Sequence, residues 1–480
     1  VSPDSAAAGL PADDDAPWYA GITQYQWLVL LIASLGWVFD IFEGQIFVAS
    51  MNEAMPSLTS RAEGESPAAY AGRIAYYNNI AFAAFLVGGA VGGIVFGMMS
   101  DRLGRKRAMT LTILFYSLFT CVSAFSMAWW HLAVLRFLVA MGVGGEWAVA
   151  SALVFETFPP RARAHVGGIF HASSILGTWL AIAAGTFIIG NPYFDQLAES
   201  AGIPSLPWRI GFALGVLPAF LIIWIRTTLR EPETWEVARK TAAGDASQPV
   251  GRLSELFGPR LGLRTLAGVT LASVGLATFW GVHIYGKDLL KEDARASYLR
   301  QLSTQPLSEL SREEQDALLK LHENRLKQIE MLGMFLVTTG GGLGLISFGP
   351  ISQRIGRRPA FLLYHLGAIA IALLIFQGIR GFAALLIALP VFGFLTLGMH
   401  AGYAIYFPEL YPTRLRGTGA GFCFNAGRII AAPILFLTGR MQYAWGFSLT
   451  ESCSWLSLLY LLGVLILPLA PETRGRSVSE

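Results

Sequence analysis

Twelve apolar runs punctuate this chain, near 26–50, 76–100, 108–128, 131–157, 164–190, 208–228, 264–286, 329–352, 359–379, 381–407, 417–440 and 452–470. Each is close to the roughly twenty residues that a helix needs to cross the hydrocarbon of a bilayer. The pattern therefore predicts twelve membrane spans, numbered 1 to 12 in that order. Between the sixth and seventh the chain turns polar over 229–263, and Gly244-Asp245-Ala246-Ser247-Gln248-Pro249 reads as a linker. A second polar stretch, 287–327, is rich in Leu, Glu, Lys and Arg. There Leu307, Leu310, Leu318, Leu321 and Leu326 predict one or two amphipathic helices outside the membrane. That spacing fits a plain extracellular hairpin, and equally a gating lid or a docking surface.

The predicted organisation is an N-terminal segment 1–25, a six-helix bundle 26–228, a linker 229–263, a second six-helix bundle 264–470 carrying the insertion 287–327, and a tail 471–480. Residues before about Pro17 are small and acidic with no apolar core, which predicts no cleaved signal peptide and a first span that acts as its own insertion signal.

The two groups of six repeat each other. Gly97-Met98-Met99-Ser100-Asp101-Arg102-Leu103-Gly104-Arg105-Lys106-Arg107 ends span 2, and Gly349-Pro350-Ile351-Ser352-Gln353-Arg354-Ile355-Gly356-Arg357-Arg358 ends span 8. Glu156-Thr157-Phe158-Pro159-Pro160-Arg161-Ala162-Arg163 follows span 4, and Glu409-Leu410-Tyr411-Pro412-Thr413-Arg414-Leu415-Arg416 follows span 10. Two motifs in one order at nearly one offset mean two copies of one unit, the mark of alternating-access transporters.

Composition narrows the class. The chain has 480 residues, 54% hydrophobic and 14% charged, with mean hydropathy +0.52, which excludes a soluble multidomain protein. A net charge of +3 makes no case for nucleic acid. Cys121, Cys423 and Cys453 lie in apolar surroundings, so neither a disulfide framework nor a metal site is expected. No phosphate-cradling loop and no nucleophile motif is present, so neither ATP drive, nor an enzyme, nor any cofactor is expected. With both termini cytoplasmic, most of the 35 Lys and Arg fall in loops on the inner side. Most of the outer ones sit in the long insertion, which weighs little in the positive-inside rule.

The Gly-x-x-x-Asp-Arg-x-Gly-Arg-Lys-Arg segment after span 2 resembles the signature loop of the major facilitator superfamily. The resemblance covers nearly the whole chain. It is closest to the branch holding sugar porters, metabolite:proton symporters, aromatic-acid and sialic-acid symporters and organic-ion transporters. Supporting segments are Arg136 to Gly142 with Gly144, Gly145 and Glu146 in span 4; Arg230-Glu231-Pro232-Glu233-Thr234 after span 6; and Ala470-Pro471-Glu472-Thr473-Arg474-Gly475-Arg476. The resemblance implies an all-α membrane protein of twelve helices in two pseudo-symmetric six-helix bundles. It also implies an inner latch of Asp101, Arg105, Glu156 and Arg163 with Arg357, Glu409 and Arg416, closed only while the inner side is closed. Gln353 stands where the first half has Asp101, so an asymmetric latch is expected. The alternative is that these arginines merely anchor the inner face.

Ionisable groups inside spans cost about 2.5–3.5 kcal/mol on insertion scales, so they mark sites of work. Span 1 carries Asp40 and Glu43, and span 4 carries Arg136 and Glu146, each pair close to one helical face. An acid near a buried arginine is either a proton site or a static ion pair. In the resembled branch, aromatic-acid symporters have Asp-Gly-Phe/Tyr-Asp in span 1, where this chain reads Asp40-Ile41-Phe42-Glu43. Sugar porters keep an acid only at the position of Glu43 and carry paired glutamines near span 7. Here that region is Ala277-Thr278-Phe279-Trp280-Gly281-Val282-His283-Ile284-Tyr285, so a hexose is not the expected substrate.

Span 11 places Asn425 and Arg428 in an apolar run with no acid nearby in sequence. A guanidinium there suits a substrate carboxylate, or else pairs with an acid such as Glu43. Further candidates for the cavity wall are Trp37, Trp147, His171, Trp280, His283, His400 and Tyr403. The expectation is a monomeric carrier in the plasma membrane, or the inner membrane of a bacterium, that moves a small organic anion with protons. A uniporter or exchanger of neutral or cationic solutes and a non-transporting sensor are the alternatives.

Overall fold

The computed structural model describes residues 17–475 except 185–186, 188–191, 201, 204–205, 245–248, 304–305 and 307–311. Among the described residues the chain is helical with no β-strand. All twelve expected spans are helices: span 1 is Gln24–Ser57, span 2 Pro67–Leu103, span 3 Arg105–Ser123, span 4 Trp129–Thr157, span 5 Pro160–Ala184 and span 6 Leu206–Ile225. Span 7 is Gly262–Gly281, span 8 Glu323–Ile355, span 9 Arg357–Leu373, span 10 Phe382–Leu410, span 11 Arg416–Tyr443 and span 12 Leu449–Leu469. Among the described residues, ten helices are long and apolar enough to cross a membrane by length and composition. Span 3 is only 19 residues long and opens on Arg105-Lys106-Arg107, and span 11 carries Arg416, Asn425 and Arg428.

Span 3 shows why these sequences fold as they do in lipid. Leu111, Leu114, Leu118 and Val122 form an exposed stripe, while Ala108, Met109, Thr112, Ile113, Tyr116 and Thr120 are buried. Three- and four-residue spacing puts each set on one face. The apolar face points outward, where a soluble helix would be polar, so the solvent it meets is hydrocarbon.

The halves correspond element by element. Span 2 lies along span 4 as span 8 lies along span 10, and span 1 meets span 5 as span 7 meets span 11. The halves join along two seams, span 2 with span 11 and span 5 with span 8. Spans 2 and 8 both end at a left-handed glycine, Gly104 (φ 106°) and Gly356 (φ 100°), which turns the chain directly into the next span.

The structure revises three expectations. Several spans run past the apolar core, span 2 starting at Pro67 and span 8 at Glu323, because a helix keeps its hydrogen bonds beyond the hydrocarbon. The region read as a linker contains a helix, Glu233–Gly244, and only its 245–248 part lies outside the described residues. In the insertion, Gly286–Leu302 continues span 7 after a short turn, and Leu289, Leu290, Leu299, Leu319 and Leu326 fill a local core. Leu318 packs against that core, Leu321 is 94% exposed, and Leu307 and Leu310 lie outside the described residues.

Candidate functional site

At the end of the molecule bearing the repeated motifs, each half builds the same knot. Arg105 grips Glu156 with two bonds, Nε to Oε2 at 3.0 Å and Nη2 to Oε1 at 2.7 Å, and its Nη1 donates to Ser100 O and Asp101 Oδ1, both at 2.8 Å. Arg357 repeats this on Glu409 (3.1 and 2.8 Å), Ser352 O and Gln353 Oε1 (both 3.1 Å). The segments after spans 6 and 12 singled out in the sequence cap spans 3 and 9. Glu231 accepts from the Arg105 and Lys106 amides at 2.6 and 3.2 Å. Glu472 accepts from the Arg357 and Arg358 amides at 2.9 and 3.0 Å. Burial alone would raise the Glu472 carboxyl, but the amides of Arg357, Arg474 and Arg358 hold it below the usual carboxylate range.

Among the described residues, the side-chain bonds that cross between halves at this end come from the first half's acids and from Arg105. Asp101 accepts from the Gly417 amide (3.0 Å), the Thr418 amide (2.7 Å) and the Thr418 hydroxyl (2.6 Å) at the start of span 11. Arg416 donates to Glu156 at 2.8 Å, and Arg105 reaches Thr413 O at 3.2 Å. The second half returns no equivalent. Gln353 stays with Arg357, and Arg163, the counterpart of Arg416, donates to Phe158 O at 3.0 Å and lies over Phe155 instead of pairing with Glu409. Arg163, Arg357 and Glu409 thus brace their own halves, and the closed end is asymmetric. At the opposite end a cleft of ≈ 280 Å³ is lined by Trp179 and Ile182 of span 5 and Met331, Met334, Phe335 and Thr338 of span 8, with Trp179 and Phe335 stacked at 6.4 Å.

Halfway along the bundle the charged groups sort themselves. Glu43 pairs with Arg136 and takes a bond from Thr120 Oγ1 at 3.1 Å, while Arg136 donates to Ser123 Oγ at 2.7 Å. Phe47 and Phe212 cover the guanidinium at 5.1 and 4.7 Å. Arg136 and Glu146, nearly three turns apart on span 4, do not meet, and the acid that Arg136 finds comes from span 1. Glu146 instead accepts from Thr112 Oγ1 at 2.8 Å. Asp40 is 1% exposed, and neither of its carboxylate oxygens accepts a hydrogen bond.

Arg428 is not held by Glu43 either. Among the described residues its one hydrogen bond is a long one, Nη1 to Asn425 Oδ1 at 3.4 Å, and it lies 5.0 Å over the Phe424 ring. The acid that shares its electrostatic field is Asp40, from the other half. Phe424 stacks at 4.1 Å on Trp147, whose indole donates to His171 Nδ1 at 3.3 Å; the Trp37 indole donates to the His171 carbonyl, also at 3.3 Å. Across the bundle, His283 bonds Thr396 at 2.7 Å and stacks on Phe279, which meets both Trp280 and His400. Trp280 lies edge-on to Phe82 of span 2. Tyr403 is fully buried, its hydroxyl donating to Leu271 O at 2.9 Å, and so serves the packing of spans 7 and 10.

Two groups of contributing residues escape a reading of charges. Thr112, Thr120 and Ser123, with Tyr116 on the same stripe of span 3, are visible in sequence as hydroxyls at helical spacing; the first three bond Glu146, Glu43 and Arg136. Gly89 and Gly93 on span 2 make room for span 11: a Cβ at Gly89 would stand 2.8 Å from Arg428 Nη1, and one at Gly93 would overlap the Asn425 amide. With Gly97 they recur every four residues, a spacing that marks a helix contact.

Comparison with known proteins follows the same lines. The family described as sugar (and other) transporter matches residues 28–260 and 299–476. A putative metabolite transport protein of Haemophilus influenzae is 26% identical over 95% of this chain and 99% of its own length. The sialic acid transporter NanX of Escherichia coli is 26% identical over 90% of this chain and 92% of its own. Among solved structures, the major facilitator superfamily proton:xylose symporter XylE superposes with a TM-score of 0.69 at 16% identity, covering 95% of this chain and 98% of that one. With its duplicated six-helix halves, paired basic knots and charged mid-bundle residues, the chain belongs to the sugar (and other) transporter family of the major facilitator superfamily and is a multi-pass membrane transporter, not an enzyme.

Proposed function

We propose that the chain is a secondary active transporter that carries a small organic anion, a monocarboxylate such as an aromatic, hydroxy or sugar acid, in symport with protons by alternating access. The observation that supports it is Arg428. Among the described residues no acid bonds this mid-span guanidinium, and its planar fork rests on an aromatic face, ready for a carboxylate. Asn425, Trp147, His171, Trp280, His283 and His400 shape the surrounding wall, with Tyr403 packed behind it. A relative that carries sialic acid agrees with an acidic substrate. Protons couple through the mid-span acids of spans 1 and 4. Asp101, Glu156 and Arg416 close the inner gate, braced by Arg105, Arg163, Arg357 and Glu409. The positive-inside rule puts that basic end, with both termini, in the cytoplasm.

The test has two steps. A thermal-shift panel of organic acids, sugars and amines at two pH values, run on the purified protein, identifies the ligand class, since a ligand of the folded state raises stability by mass action. Proteoliposomes under an imposed pH difference should then accumulate the acid that scored. Stabilisation by sugars or amines alone would favour a neutral or cationic solute, and binding without accumulation would leave a sensor.

A further inference from the structure

Four ionisable groups meet where spans 1, 3 and 4 pack, and they form two unlike pairs. Glu43 and Arg136 neutralise each other, with Thr120, Ser123 and two phenyl rings around them, although Glu43 Oε2 and Arg136 Nε have no hydrogen-bond partner of their own. To take a proton, Glu43 would have to break a buried ion pair, which typically costs several kcal/mol. Asp40 and Glu146 are the opposite case. Both oxygens of Asp40 and Oε1 of Glu146 are buried without a donor, and only Glu146 Oε2 has one, the Thr112 hydroxyl. Glu146 Oε1 lies against span 1 at Gly36, where any Cβ would collide with it, and Asp40 is one turn further along the same span. Asp40 sits in the field of Glu146. Two such carboxylates away from water do not both keep a charge.

We propose that Asp40 and Glu146 act as one shared carboxylic acid–carboxylate pair that carries the transported proton, with Glu43–Arg136 as a fixed strut. This rests on the proton-symport reading above and assigns the proton within it. The groups facing the pair are Gly36 and the already paired Glu43 from span 1, Thr112 and Tyr116 from span 3, and Arg428 from span 11. The Tyr116 hydroxyl, itself without a partner, is placed to serve the ionised member. Arg428 supplies the coupling. Uncovered, its field favours a charged Asp40; covered by a substrate anion, that field is cancelled and the pair holds its proton. The proton enters from water on the open side and leaves to water on the other, and no other bond forms or breaks.

Infrared titration of the protonated-carboxyl carbonyl band tests this on the purified full chain without substrate. The unmutated protein should show a buried carboxyl band that Asp40→Asn and Glu146→Gln each alter. In each variant the midpoint of the remaining acid should move by about one pH unit or more, the mark of coupled sites. Either variant suffices if the other fails to fold. Replacing the strut as a unit, with Glu43→Gln and Arg136→Gln together, should leave the band in place. Asp40 and Glu146 titrating alike with and without each other, or a band that disappears with the strut, would overturn the proposal. Because no substrate is present, those results leave the symport reading standing; it fails separately if proteoliposomes show no pH-driven accumulation.

Discussion

Arg428 is the residue on which the functional reading turns, because its guanidinium is a planar, cationic fork of donors inside a span. Its direct contacts are neutral, the Asn425 amide, the Phe424 face and the Gly89 backbone, and the acid that shares its field is Asp40 of the other half. An anion bound there gains a paired, charge-assisted contact in a site shielded from water. Arg428→Ala should therefore weaken binding of the transported acid by at least about 2 kcal/mol, roughly thirtyfold or more in Kd. Arg428→Lys should recover little, since an ammonium lacks the two-pronged fork. Titration calorimetry on the purified variants measures both, and unchanged affinity in the alanine variant would remove the support for an anionic substrate. Arg428 and the four charged groups of spans 1 and 4 were legible in the sequence as charges in apolar runs. Their pairing was not. Arg136 and Glu146, ten residues apart on one helix, stand about 15 Å apart and cannot pair, but whether Arg136 meets Glu43 depends on the register of span 1 against span 4, on which spacing along one helix is silent.

Helix seams carry the next level of argument. Span 11 lies so close to span 2 that Gly97 and Gly417 touch backbone to backbone, and the Asn425 amide fills the notch at Gly93. Gly93→Ala should force that amide out and loosen the seam, whereas adding Asn425→Ala should relieve the overlap and restore closure. Distances between spin labels at Leu103 and Ile355, exposed ends of spans 2 and 8, read this directly. An unchanged distance distribution in Gly93→Ala would show that the seam tolerates the methyl. Span ends are also held by charge. Glu472 caps span 9 through two amides, and its carboxyl is held below the usual range, first against the opposing effect of burial and then by its amide partners. A depressed acid contributes stability that is complete above its unfolded value, about 4.3, and is lost as pH falls through the lower folded value. Acid unfolding of Glu472→Gln should therefore lose part of the pH dependence below about pH 4 that the unmutated protein shows. Identical acid profiles would remove the cap from the account. Apolar run length disclosed every span, yet the helical continuation of span 7 into the insertion escaped notice. A polar helix packed on its neighbours has no membrane-length signal, and its buried leucines answer to partners distant in sequence.

At the scale of the whole molecule, the repeat was legible because both halves spell the same knot, and even its asymmetry was foreshadowed by Gln353 in place of Asp101. Which bonds cross between halves was not legible, since a cross-half bond belongs to one conformation and the sequence encodes all of them. Asp101 holds three donors at the head of span 11 while also pairing with Arg105, and the second half has no matching clasp. Asp101→Asn keeps the shape but removes the charge and replaces one acceptor oxygen with an amide donor that faces N–H groups. Bonds to a charged group are worth about 1.5–3 kcal/mol, so the closed inner end should lose roughly tenfold or more in population relative to the open one. The Leu103–Ile355 spin-label distance should lengthen or broaden accordingly. Gln353→Asn, which loses only a bond within its own half, should leave that distance unchanged. Affinity for the transported acid should change less than the distance does, because Arg428 and Asp40 lie well along the spans from the latch. Equal distances in Asp101→Asn and the unmutated protein, together with normal transport, would reduce the knot to an anchor at the membrane face and move the gate elsewhere in the molecule.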